Sequence, residues 1–77
     1  MERVKAHNSS SGNVASYGWE AEPPCLEVEF SSRKSGNSVY QYPGVPQRLW
    51  QGLLGAHSAG SFLNSEIKPI YPATKVS

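Results

Sequence analysis

Between Ser38 and Pro46 the chain changes its hydrophobic period, and that change constrains the fold more than any other feature. Ser38-Val39-Tyr40-Gln41-Tyr42 reads as a short strand. Period-two spacing puts Tyr40 and Tyr42 on one face of it. Pro43-Gly44 stops the run, and Pro46 opens a pattern in which Leu49, Trp50, Leu53 and Leu54 recur at helical spacing. Pro46 is expected at the first helical position, where its missing N–H is harmless. Gly52 inside the stripe costs roughly 1 kcal/mol against Ala and is compatible with close approach of the helix to what it packs on, and Gly55 is expected to end the helix. A strand therefore hands over to a helix whose apolar stripe needs a sheet to cover.

The preceding residues supply that sheet. In Cys25-Leu26-Glu27-Val28-Glu29-Phe30 the apolar Leu26, Val28 and Phe30 alternate with Cys25, Glu27 and Glu29. Strict alternation predicts a half-buried strand with one wet face. Val14-Ala15-Ser16-Tyr17-Gly18-Trp19 is a candidate first strand, with Ala15, Tyr17 and Trp19 on its more apolar face. Glu20 to Pro24 is a connector, since two adjacent prolines cannot donate to a ladder. Ser31 to Asn37 supplies turn chemistry, with Gly36-Asn37 suited to positive φ. Downstream, Ser58 is a candidate N-cap for a second short helix from Ala59 to about Ile67, ended by Pro69. The tail from Ile70 is extended, and its last residues are expected to fray.

These elements predict an α+β domain: a three-stranded antiparallel sheet in the order β-β-β-α-α, with two short helices packed on one face. The expected core includes Leu26, Val28, Phe30, Leu49, Leu53, Leu54, Phe62 and Ile67. Residues 1–12 read as a flexible or turn-rich lead-in that adds at most a short edge strand, and residues 13–77 as one domain. A chain of 77 residues holds no second domain, and leaves little room for both a core and a deep catalytic pocket.

Seven Lys and Arg against six acids, all glutamates, give a net charge of +1, which is far from the strongly basic balance of most nucleic-acid binders. The charges are segregated, however. Glu20, Glu22, Glu27 and Glu29 form one block and Arg33 and Lys34 follow it, so a local basic spot is compatible with the total. A lone cysteine, Cys25, forms no internal disulfide and suits a reducing compartment. With no signal region and no apolar run of about 18 residues, the chain is expected to be soluble and cytoplasmic.

Candidate site residues divide by chemistry. Tyr40 and Tyr42 are either core or a platform on which nucleic-acid bases stack. Arg33, Lys34 and Lys68 are candidates to contact phosphates, with Arg48 and Lys75 in reserve; ordinary solubilising charge is the simpler account of them. Trp50 completes the apolar stripe of its helix, and if exposed would anchor a protein partner. Glu27 and Glu29 suggest the wet side of a strand before they suggest an acid/base pair. His7 and His57 lie far apart and outside any metal-ligand pattern. Cys25 has no adjacent base, and the serines Ser9, Ser10, Ser11, Ser31 and Ser32 sit in no nucleophile motif.

Taken together, Leu26-Glu27-Val28-Glu29-Phe30, Val39-Tyr40-Gln41-Tyr42, Val45-Pro46, Gly60-Ser61-Phe62-Leu63-Asn64, Ile67 and Tyr71-Pro72 resemble the KTSC domain over roughly residues 9–76. Members carry a central Tyr-x-Tyr, here Tyr40 and Tyr42. The family is named for a domain at the C-terminus of some lysyl-tRNA synthetases and also occurs as small stand-alone proteins of bacteria and phages. The chain departs from it in the double proline of the first connector and in the long Ser31–Asn37 hairpin. The resemblance implies a binding module without naming its ligand; RNA binding has been suggested for the family and no activity is established. The residues themselves offer no acid/base pair, nucleophile, metal set or cofactor fingerprint, so neither an enzyme nor a cofactor is expected. Two functional classes are therefore expected. One is an RNA-binding module using Tyr40, Tyr42, Arg33, Lys34 and Lys68. The other is a protein-interaction module using Trp50, Glu27 and Glu29, such as a phage-encoded inhibitor of a host complex of anti-CRISPR type, or a self-paired homo-oligomer.

Overall fold

The alternating segments do form a sheet, and pairing extends further along the chain than the alternation does. The structure is a computed structural model that describes residues 1–8 and 12–77; Ser9, Ser10 and Ser11, read above as part of the lead-in, lie outside the described residues. Five strands form an antiparallel meander in sequence order: β1 (Val4–Lys5), β2 (Val14–Ala21), β3 (Pro24–Phe30), β4 (Ser38–Pro43) and β5 (Thr74–Lys75). This corrects the expectation of three strands. The two additions are edge strands of two residues each, too short to show a period. They pair with the outer edges of β2 and β4, where unpaired backbone groups would otherwise face water.

Cross-strand partners share a face. Tyr17, Val28 and Tyr40 form one row, and Trp19, Leu26 and Tyr42 the next. This face meets the helices, and the core gathers Tyr17, Leu26, Val28 and Tyr42 with Val45, Leu49, Leu53, Ala59, Leu63 and Ile67. Val39 pairs with Glu29 on the opposite face, so both tyrosines point toward the helix layer. Of the expected core, Phe30, Leu54 and Phe62 are only half-buried at its margin. Val14 joins the core although simple alternation puts it opposite Tyr17. The register shifts between Val14 and Ser16, and the extra residue of such a bulge turns the side chain over.

Helix α1 spans Gln47–Gly55, with Pro46 as its N-cap. Helix α2 spans Ala59–Phe62 and is capped by the Ser58 hydroxyl, which accepts from the Ser61 N–H at 3.3 Å. The expected single helix then widens into a π-helical turn, Leu63–Ile67, whose last bond runs from the Lys68 N–H to the Leu63 carbonyl at 2.8 Å. Gly52 of α1 faces Phe62: a Cβ there would come to 2.9 Å from the ring, so the glycine does admit the second helix.

Asn8 ties the lead-in to both helices. Its Nδ2 donates to the carbonyls of Leu53 (2.7 Å) and Ala56 (2.8 Å) at the end of α1, and its Oδ1 accepts from the Tyr17 hydroxyl at 2.7 Å. Its backbone carbonyl accepts from the Ala59 N–H at the start of α2. One buried side chain thus satisfies carbonyls that a helix end leaves unpaired.

Candidate functional site

On the helix-bearing face Leu26, Val28 and Tyr42 are covered, while Phe30 of β3 and Tyr40 of β4 stay partly exposed. There a cleft of about 480 Å³ lies between the sheet and the segment that follows the π-turn. Phe30, Tyr40 and Tyr42 form its sheet side, Tyr71, Pro72 and Ala73 the opposite wall, and Lys68 one end. The Phe30 and Tyr40 rings meet edge to face, with centroids 5.8 Å apart. The Lys68 ammonium lies 5.2 Å above the Phe30 ring, a cation–π position that fixes it at the mouth. Tyr40 and Tyr71 are half-buried, with part of each ring accessible, whereas Tyr42 is only 2% exposed. Burial, and then the neighbouring Tyr40, push the Tyr42 phenol above its ordinary value. Tyr42 is therefore the floor of the cleft and Tyr40 its accessible ring.

Gly44 sets the turn beside this site. Its φ is +90°, in the region favouring glycine, and its N–H donates to the Pro24 carbonyl at 2.8 Å. Tyr71 packs within 3.8 Å of where a Gly44 side chain would begin.

Of the cations singled out from the sequence, Lys68 lines the cleft and Arg33 lines an adjoining hollow that shares Asn13, Ser31 and Ser32 with it. Lys34 is exposed in the β3–β4 turn and lines neither. Lys75 pairs opposite Tyr40 in the edge strand, and Arg48 is exposed on α1. In the β3–β4 turn only Gly36 has positive φ, at +74°; Asn37 donates to Glu29 Oε2 at 3.0 Å instead.

Glu27 and Glu29 project from the opposite face, and that face is less open to water than the alternation implies. Residues Glu2 and Arg3 cross over Gly18, where any Cβ would collide with the Glu2 carbonyl oxygen. Arg3 forms an ion pair with Glu27, and its Nε donates to the Ser16 hydroxyl at 3.0 Å. Gln41 donates to Glu27 at 2.8 Å and Ser16 to Glu29 at 2.8 Å. Glu27 is 7% exposed. Burial opposes its charge, yet the hydrogen bonds from Gln41 and Arg3 and the Arg3 charge outweigh it and hold the carboxyl below its usual range. The hydrogen bonds from Asn37 and Ser16 lower Glu29 in the same direction.

Trp50 is half-buried and meets Tyr17 edge to face at 5.6 Å. His7 lies 3.3 Å from the Tyr17 hydroxyl, while His57 is exposed between the helices. Cys25 is buried, and desolvation followed by the Glu20 and Glu27 charges pushes its thiol up, away from thiolate chemistry. No helix among the described residues is long and apolar enough to cross a membrane. Tyr71, Phe30 and Asn13 were not singled out as site residues. Phe30 showed only as an alternating strand residue and Tyr71 only in the Tyr71-Pro72 pair of the extended tail, and Asn13 carried no signal.

The sequence pattern of the KTSC domain matches residues 10–71. The chain belongs to the KTSC domain family. The aromatic residues of the cleft, Phe30, Tyr40, Tyr42 and Tyr71, fall inside the matched span, while β1 and β5 fall outside it. The chain is 41% identical over 69 residues to an uncharacterized protein of Stutzerimonas stutzeri strain A1501, covering 90% of this chain and 87% of that one. It is also similar to the crystal structure of a KTSC domain protein from Yersinia pestis, with a TM-score of 0.80 and 34% identity over 99% of this chain and 97% of the other.

Proposed function

We propose that this KTSC domain protein is a non-enzymatic binding module for single-stranded RNA, with the cleft between β4 and the Tyr71 segment as its site. The observation that carries this reading is the partition of charge across the sheet. Glu27 and Glu29 lie on the far face, engaged by Arg3, Gln41, Ser16 and Asn37. The cleft and its adjoining hollow present Lys68 and Arg33, with no carboxylate in their walls among the described residues. Accessible rings beside cations suit a ligand that is both flat and anionic. Bases stack on sheet aromatics in this way, and phosphates take the cations. The lone buried Cys25 suits a reducing compartment, and we place the protein in the cytoplasm.

The competing reading is a protein-interaction module. It relies on Glu27, which is buried under Arg3, on Glu29, which is half-buried and engaged by Ser16 and Asn37, and on Trp50, which packs against Tyr17. The accessible groups of the cleft therefore favour the nucleic-acid reading.

Titration of a labelled single-stranded RNA at several salt concentrations tests it. Two phosphate contacts predict a slope of log K against log salt near about −1.4, and Lys68→Ala brings it to about −0.7. Tyr71→Ala is expected to weaken binding by about 1–3 kcal/mol. Its ring lies outside the sheet, so the melting temperature separates lost stacking from lost folding. Absence of any shift at tens of micromolar RNA and low salt, with a folded protein, would discard this function. Stoichiometric capture of one host protein would then support the interaction module.

A further inference from the structure

The aromatic cleft has a neighbour. Beyond Lys68 and Phe30 lies a second hollow of about 180 Å³. Asn13, Phe30 and Lys68 line both spaces, so the Lys68 ammonium, held over the Phe30 ring, stands at the boundary between them. The two spaces differ in chemistry. The larger is walled by rings. The smaller keeps one ring, Phe30, and adds Asn64, Ser61, Leu63, Gly12 and Gly60, again with no carboxylate among the described residues. Gly12 and Gly60 meet there backbone to backbone: a Cβ on either would lie 3.2 Å from the Cα of the other. Asn13 donates to the Ser31 carbonyl at 3.3 Å, which orients its amide on the rim.

Lys68, Phe30 and Asn13 border both spaces, Tyr40 and Tyr71 only the larger and Asn64 only the smaller. A mononucleotide on the rings and the cation would leave Asn64 unused. A cation between two spaces matches a phosphate between two nucleosides, and amide side chains suit the hydrogen-bonding edge of an unstacked base. Resting on the RNA reading above, we infer that the recognised unit is a dinucleotide step. One base lies against Tyr40 and Tyr71, the linking phosphodiester meets Lys68, and the adjacent base enters the hollow of Asn13 and Asn64.

The test compares 5′-ribonucleoside monophosphates with the dinucleoside monophosphates ApA, CpC, GpG and UpU, using the full chain and titration monitored by NMR. The dinucleoside carries the smaller negative charge, so tighter binding cannot come from charge. At least one dinucleoside monophosphate is expected to bind roughly tenfold or more tighter than its monomer, the scale of one added base contact. Asn64→Ala is exposed and should leave the melting temperature unchanged. It is expected to remove that gain while the monomer affinity stays the same. Equal affinities for monomer and dinucleoside would overturn the inference and leave the RNA reading intact, as would an Asn64→Ala variant that keeps the full gain. No binding by either probe or by longer RNA would overturn both.

Discussion

Among the described residues of the lead-in, Asn8 makes the most buried hydrogen bonds. Its amide serves Leu53, Ala56 and Tyr17 at once, at distances of 2.7–2.8 Å. Asn8→Ala removes the bond to the Ala56 carbonyl and takes one of two partners from the Leu53 carbonyl, which also accepts from the Ala56 N–H, and from the Tyr17 hydroxyl, which also lies beside His7. The expected outcome is a loss of about 1–3 kcal/mol in urea unfolding, with Tyr17→Phe, which removes the bond to Asn8 and the His7 contact, costing about 1 kcal/mol. Glu27 makes a pH-dependent contribution. Its folded carboxyl lies below the ordinary value, so its stabilisation is present above the unfolded-state range near about 4.3 and is lost as pH falls through the lower folded value. The urea midpoint should hold near neutrality and fall on acidification. Glu27→Gln should flatten that fall; an unchanged pH profile would refute the role assigned to the Arg3 pair.

At the scale of elements, the three main strands and α1 stand close to where side-chain period and turn chemistry put them. The Glu20–Pro24 connector, however, shrinks to a two-residue turn, because Glu20 and Ala21 pair with Cys25 and Pro24, and Pro46 is the N-cap in place of the first helical residue. β3 has strict alternation, and the Ser58 cap starts α2 where expected. Other elements left no such mark. β1 and β5 are two residues long, and the bulge near Ala15 arises from the pairing of β2 with β3. The crossing of the Glu2–Arg3 arm depends on Gly18 having no side chain. Gly18→Ala should lift the arm, because the obstacle is backbone and cannot rotate away. The expected results are a loss of about 1–3 kcal/mol and faster amide exchange at Val4 and Lys5. Unchanged protection there would show that the arm tolerates a methyl group.

At the scale of the molecule, the sheet separates two chemistries. One face carries Glu27 and Glu29 under the N-terminal arm, and the other carries the core and the cleft. That separation makes a net charge of +1 compatible with an anionic ligand. Placing an acid on the cleft side should therefore matter more than its single charge suggests. Ser32→Glu, on the exposed rim, is expected to reduce RNA affinity several-fold without changing the melting temperature; Glu22→Lys, in the β2–β3 turn, should leave it nearly unchanged. Equal effects from the two would point to total charge in place of the cleft. The sequence by itself determined the three main strands, the first helix, the cap of the second and the family, because period and turn residues act over a few positions. Only the tertiary structure decided which face Tyr40 and Tyr42 occupy, which of them stays accessible, and that Tyr71 and Lys68 stand beside them. Those facts rest on residues far apart in the chain, as in the bond from Asn8 to Leu53 across 45 positions, and such contacts leave no local period to read.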